Sequence, residues 1–160
     1  MDGADPAGFD VLYLGQDHDT ILREVGAVFG PLLNPISNPD AFKSWVVLPI
    51  TVNLTDVVDL TDPVQAHLLS TNAQELTGDF RHFGIRTPPA SGPAPHTGRA
   101  PTQELSLELH RLGFKGIINF SAKRPDRRTL AVFHDHLAAP CFIEYRCEVS
   151  YGKFQTVRIP

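Results

Sequence analysis

Long apolar runs, a leader segment and a cysteine framework are all missing from this sequence of 160 residues. Proline, asparagine or a charged residue interrupts every apolar run before it approaches the roughly 20 residues that a membrane-spanning helix needs. The first ten residues, MDGADPAGFD, are acidic and contain no apolar signal segment. The two cysteines, Cys141 and Cys147, make neither a disulfide framework nor a metal motif. These absences predict a cytoplasmic protein that does not associate with membranes.

Excess positive charge is missing as well. The chain has 14 basic and 18 acidic residues and a net charge of −4, whereas nucleic-acid binding relies on clustered Lys and Arg that displace counterions. The patterns G-x-x-x-x-G-K-S/T and G-x-G-x-x-G are also absent, which excludes the nucleotide-binding loops built on them. We therefore expect no direct contact with nucleic acid.

The apolar residues that are present suffice for one folded domain, since 42% of the chain is hydrophobic and 20% is charged. Strand-like runs outnumber helical ones without alternating regularly with them. This pattern favours a single α+β domain over residues 1–160, with a mixed, curved sheet and flanking helices. The expected strands are 11–14 (buried), 44–52, 57–60, 114–120, 130–133, 142–149 and an edge strand in 151–160, and the expected helices are 20–29, 61–69 and 102–112. The segment 87–101, rich in proline and glycine, is predicted to be a long mobile loop.

Glu24 and Tyr13 are the first two candidate site residues. At roughly 100° per residue, Glu24 lies beside the apolar stripe of the predicted helix, whereas Arg23 points to its solvated face. Tyr13 lies on the strand that leads into this helix, and such a turn is a frequent location for ligand sites. Each residue also has an ordinary structural interpretation. Glu24 is then a glutamate at the edge of the apolar face that pairs with a cation or reaches water, and Tyr13 is a core tyrosine.

Ser121 is the third candidate, because it ends a predicted strand and opens a loop that contains four cations, among them Lys123 and Arg124. A hydroxyl followed by cations suits an anionic, phosphate-bearing ligand. No G-x-S-x-G pattern surrounds Ser121, which argues against a serine hydrolase. The alternative is a turn-forming serine followed by a solvated charged loop.

His134 and His136 form the candidate metal motif. In an extended segment the two imidazoles share one face, as zinc ligands would. The sequence offers no third ligand at a matching spacing, so we expect no metal site.

Two segments together resemble the RES domain family. VLYLGQDHDTILREV, within 11–30, looks like the family's strand and helix, and PTQELSLELHRLGFKGIINFSAKRPDRRTLAVFHD, at 101–135, looks like its second half. The second segment contains a Thr-Gln helix start, a Gly-Phe-x-Gly turn, a Ser-Ala-basic loop and a Phe-x-Asp ending. By motif position, Glu24 and Ser121 match the family's glutamate and serine, and Tyr13 matches a site tyrosine.

The resemblance implies a fold similar to that of ADP-ribosyltransferases and the role of a toxin in a bacterial toxin–antitoxin pair. It implies that NAD⁺ is a substrate, with no separate cofactor, and that the bond between nicotinamide and ribose is cleaved. The acceptor of the ADP-ribose is left open, so the activity is that of a glycohydrolase, a phosphorylase or an ADP-ribosyltransferase. The implied partner is an Xre-like helix-turn-helix antitoxin, and a homo-oligomer is left open.

One residue of the family pattern is missing. The family places an arginine shortly before the tyrosine-bearing strand, whereas residues 1–6 contain none. Lys123 and Arg124 are the expected substitutes for binding the substrate's diphosphate. The missing arginine has two explanations, a start assigned too late or a truncated gene. The alternative to the active toxin is accordingly a truncated, inactive domain that only binds nucleotide or the antitoxin.

Overall fold

Short strands and helices follow one another without a regular βα repeat. The computed structural model describes residues 9–30, 33, 35–38, 46–78 and 100–160. In these residues the strands are β1 (Val11–Gly15), β2 (Val28–Phe29), β3 (Ile36–Ser37), β4 (Ile50–Asn53), β5 (Val57–Asp59), β6 (Gly116–Phe120), β7 (Arg128–Phe133), β8 (Phe142–Ser150) and β9 (Lys153–Ile159), and the helices are α1 (His18–Glu24), α2 (Pro63–Leu68), α3 (Ala73–Leu76) and α4 (Pro101–Arg111), with one 3₁₀ turn at His134–His136.

The strands pair into a mixed sheet and two antiparallel units. The mixed sheet has the order β1-β7-β6-β5, in which β5 and β6 are parallel and the other pairs are antiparallel. The strands β4, β8 and β9 form a three-stranded antiparallel sheet, and β2 pairs with β3. The prediction of a single α+β domain with a mixed sheet is confirmed, and so is the edge strand at the end of the chain.

The register of the mixed sheet decides which side chains face the helices. Tyr13 lies opposite Ala131, which in turn lies opposite Ile117, and directly paired residues share one face of a sheet. This is the face that carries the buried core, because Ile117 packs with Phe133 and with Leu109 of α4. Burial of each such side chain contributes about 1.5–3 kcal/mol. The core therefore holds α4 against the same sheet face on which Tyr13 lies.

The first helix differs from its prediction at both ends. Its N-cap is Asp17, not Asp19, and it ends at Glu24 because Gly26 follows with a φ of 71°, a left-handed conformation that glycine adopts readily. Arg23, expected to point to solvent, is buried. Its guanidinium is bound by Asp19, with Nε 3.0 Å from Oδ2, so pairing offsets the cost of its burial.

Other differences concern exposure and strand length. The strand β1, predicted to be buried, is an edge strand on which Tyr13 is 68% exposed. β4 begins only at Ile50, whereas a strand was expected from 44, and Leu112, expected on the apolar stripe of α4, is exposed. Residues 87–99 of the predicted loop 87–101 lie outside the described residues. No helix among the described residues is both long and apolar enough to cross a membrane.

Candidate active site

The turn from β1 into α1 is held by close packing and by a side-chain cap. A Cβ on Gly15 would lie 3.0 Å from the backbone nitrogen of Ile21, so a side chain at this position would push the strand and the helix apart by a few tenths of an ångström. Asp17 accepts hydrogen bonds from the Thr20 backbone N–H at 2.8 Å and from the Thr20 hydroxyl at 2.7 Å. These bonds lower the pKa of Asp17. The cap fixes the start of the helix whose last residue is Glu24.

Glu24 and Ser121 meet in the fold although 97 positions separate them in the chain. Ser121 directly follows β6 and is fully buried. Its hydroxyl donates a hydrogen bond to Glu24 Oε1 and accepts the backbone N–H groups of Arg124, at 2.9 Å, and of Lys123, at 3.2 Å. All these bonds hold the serine oxygen in one orientation, so Ser121 is suited to orienting the Glu24 carboxylate.

Glu24 faces a cleft of about 530 Å³ between α1, α4 and the mixed sheet. Tyr13 lines the same cleft, and so do polar side chains that the sequence analysis did not single out: Asn119, Thr102, Ser106 and Thr129. Asn119 precedes Ser121 by two positions, so strand alternation was a signal that both lie on one face. Tyr13 is mostly exposed, yet its pKa is raised by desolvation, because the protein surrounding the concave wall displaces water near the phenol.

A second cleft, of about 920 Å³, opens on the opposite face of the sheet and shares Tyr13 with the first. Its wall is mostly apolar and includes Leu12, Ile118 and Leu130, none of which lines the first cleft. Arg128 is a cation on this wall, with Nη1 3.9 Å from Asp59 Oδ2. A ligand that passes the edge strand beside Tyr13 can therefore contact both clefts.

Lys123 and Arg124 do not reach either cleft with their side chains. Arg124 is 9% exposed, and its guanidinium binds Asp126 through Nε and Nη2, both at 3.0 Å, and Asp19 through Nη1. The bonds to Asp126, followed by those to Asp19, raise the pKa of Arg124. Lys123 is exposed and contributes its backbone N–H, which lies 3.4 Å from Glu24 Oε1. The role of these two side chains in binding a diphosphate therefore stays a prediction, and neither of them lines a cleft.

The histidines of the sequence motif separate in the structure. His134 faces the carbonyl of Asp10, while His136 lies with His110 and Asp135, whose ligand atoms are within 4.8 Å of one another. The rings of His110 and His136 stack at 4.0 Å between centroids and 23° between planes. Because zinc lies about 2.1 Å from nitrogen and close to the plane of each imidazole, two stacked rings cannot share an ion. Burial is the largest single effect on the pKa of Asp135 and raises it, but the hydrogen bond and charge of His110, a backbone hydrogen bond and the charge of His136 together lower it by more.

Comparison with models of known protein families decides the family of this chain. The family model described as RES domain matches residues 4–155, nearly the whole chain. The chain belongs to the RES domain family. The family match spans both segments on which the resemblance was based and the region between them, and it places Tyr13, Glu24 and Ser121 within one RES domain. No curated protein and no solved structure matches the chain.

Proposed function

We propose that this RES domain cleaves NAD⁺ at the bond between nicotinamide and ribose, with Glu24 as the catalytic carboxylate. The observation that carries the proposal is that Glu24 lines the 530 Å³ cleft together with Tyr13 and is hydrogen-bonded by the buried Ser121 hydroxyl. Family membership supports the choice of NAD⁺, because the RES resemblance implies that substrate.

The chemistry needs a fixed negative charge beside the ribose. When the glycosidic bond breaks, its electron pair leaves with nicotinamide, which becomes neutral, and positive charge develops on the ribose as in an oxocarbenium ion. A preoriented carboxylate stabilises this charge without reorganising during the reaction. One oxygen of Glu24 is bound by Ser121, so its orientation toward the cleft is set before the substrate arrives. When water is the acceptor, it adds to the ribose carbon and releases a proton, giving ADP-ribose.

Tyr13 and the polar side chains that line the cleft would bind the substrate. An exposed aromatic ring at the edge of the sheet can stack on the nicotinamide ring, and Asn119 faces the same cleft with an amide that can bond to a ribose hydroxyl or to the carboxamide. For the diphosphate, we assign Arg128 on the neighbouring cleft in place of Lys123 and Arg124, because it lines a cleft wall and its contact with Asp59 is long.

The test follows NAD⁺ concentration over time with the purified chain, using Glu24→Gln and the matched control Glu104→Gln. Glu104 is exposed on α4 and lines neither cleft. We expect the control to consume NAD⁺ at the wild-type rate and Glu24→Gln to be slower by about 10²–10³-fold, as for other losses of electrostatic stabilisation. Equal rates for wild type and Glu24→Gln would contradict the role of Glu24.

A wild-type chain that leaves NAD⁺ intact would contradict catalysis and favour the alternative, a domain that binds nucleotide or an antitoxin without turnover. In that case NAD⁺ should still raise the melting temperature of the chain, since a ligand that binds only the folded state stabilises it. The family also suggests an Xre-like helix-turn-helix partner, and co-expression with such a protein followed by size-exclusion chromatography tests that association.

A further inference from the structure

The loop that carries Ser121 is attached to α1 by an arginine and two aspartates. We propose that Arg124 is a positioning residue, which, with Asp19 and Asp126, locks this loop on α1 and so fixes the contact between Ser121 and Glu24. The inference rests on the proposed function for its kinetic consequence, but the lock itself is a property of the folded chain.

The side chain of Arg124 is committed to two carboxylates. Nε and Nη2 donate to the two oxygens of Asp126 at 3.0 Å each, a bidentate arrangement that fixes the plane of the guanidinium. Nη1 donates to Oδ2 of Asp19 on α1, and the same oxygen accepts Nε of Arg23 at 3.0 Å. A substrate diphosphate would have to displace both carboxylates from a side chain that is only 9% exposed.

The backbone of Arg124 is hydrogen-bonded to the loop that contains Ser121. Its N–H donates to Ser121 Oγ at 2.9 Å, and its carbonyl accepts the N–H of Arg127 at 2.8 Å. The carbonyl of Arg127 in turn accepts the N–H of Ser121 at 2.9 Å. Arg124 therefore connects two parts of the site: its side chain binds α1, and its backbone N–H binds the Ser121 oxygen. A displaced guanidinium would shift the amide that orients this oxygen.

The helix is consequently attached to the loop at both ends. Near its start, Asp19 binds Arg124, and at its last residue Glu24 accepts the bond from Ser121. Asp17, at the N-cap, also lies 3.0 Å from Arg127 Nε. Because small displacements of a reacting group can reduce a rate by about 10²-fold, loss of the first attachment should reduce catalysis through the second.

The experiment compares Arg124→Gln with Arg111→Gln, a control that removes an exposed arginine paired with Glu108 on α4. For NAD⁺ cleavage we expect kcat to fall at least tenfold in Arg124→Gln, with KM within about twofold of wild type, and no change in the control. Affinity for ADP, measured by titration calorimetry, should not change, because the guanidinium binds no phosphate. In a Ser121→Ala background Arg124→Gln should cost little more, since both act through one contact.

Three results would overturn the inference: weaker ADP binding in Arg124→Gln, a raised KM with an unchanged kcat, or losses that multiply independently with Ser121→Ala. A chain without NAD⁺ turnover would refute the proposed function only, and amide hydrogen exchange then tests the lock by itself. The backbone N–H of position 124 should exchange at least tenfold faster in Arg124→Gln than in wild type, and an unchanged exchange rate would refute the lock. If Arg124→Gln does not fold, Asp126→Asn, which removes the bidentate partner, is judged by the same criteria.

Discussion

The buried hydroxyl of Ser121 provides the sharpest test of the site's internal structure. In Ser121→Ala the backbone N–H of Arg124, which is buried and donates to Oγ at 2.9 Å, loses its acceptor. The N–H of Lys123 is less affected, because Glu24 Oε1 lies 3.4 Å away and the residue is exposed. Leaving one buried donor unsatisfied costs about 1–3 kcal/mol. We therefore expect the free energy of unfolding, measured by urea denaturation, to fall by about 2 kcal/mol.

Ser106→Ala is the matched control for this substitution. The Ser106 hydroxyl donates to the Thr102 carbonyl within α4 at 2.7 Å. Its removal therefore leaves no buried donor without an acceptor, and alanine has the higher helix propensity. Its unfolding free energy should stay within about 0.5 kcal/mol of wild type. If Ser121→Ala were equally benign, the hydroxyl would not be the centre of the hydrogen bonds that orient Glu24.

Three further substitutions test the cap, the sheet and the cleft. Asp17→Asn removes a carboxylate whose pKa is lowered by its hydrogen bonds with Thr20. The ionised carboxylate stabilises the fold above about pH 4, and this stabilisation is lost as the pH falls through the folded-state pKa. The difference in unfolding free energy between wild type and Asp17→Asn, measured by denaturant melts, should therefore narrow below about pH 4. In Gly116→Ala, a Cβ would lie 2.6 Å from the Ala131 carbonyl oxygen, and the melting temperature should fall with a loss of about 1–3 kcal/mol. Tyr13→Ala should leave stability within about 0.5 kcal/mol, because the ring is exposed. It should slow NAD⁺ cleavage about tenfold if the ring stacks on nicotinamide as proposed.

Local sequence patterns singled out the separate residues of the candidate site. Helical spacing placed Glu24 at the boundary of the apolar stripe, and the structure puts it on a cleft wall. The position of Ser121 after a strand was also predicted. Their contact was not predictable from spacing, since it joins residues 97 positions apart. Only the motif order of the family linked them beforehand.

The surroundings of two arginines could not be predicted from the local sequence. Arg23 and Arg124 looked like solvated or ligand-binding cations, yet both are buried against Asp19. A charged side chain can be buried when a carboxylate is in reach, and that depends on how α1 packs against the loop after β6. The helix end was missed because Gly26 adopts a positive φ, whereas apolar spacing continued past it to Phe29.

The central claim is that Glu24 promotes cleavage of the nicotinamide–ribose bond, and its most direct test is to identify the product. Chromatography of the reaction should show one nicotinamide released for each NAD⁺ lost, in wild type and in Glu104→Gln, and about 10²–10³-fold less in Glu24→Gln. NAD⁺ loss that yields nicotinamide mononucleotide and AMP would place the cleaved bond in the diphosphate. That product, or undiminished nicotinamide release by Glu24→Gln, would contradict the account.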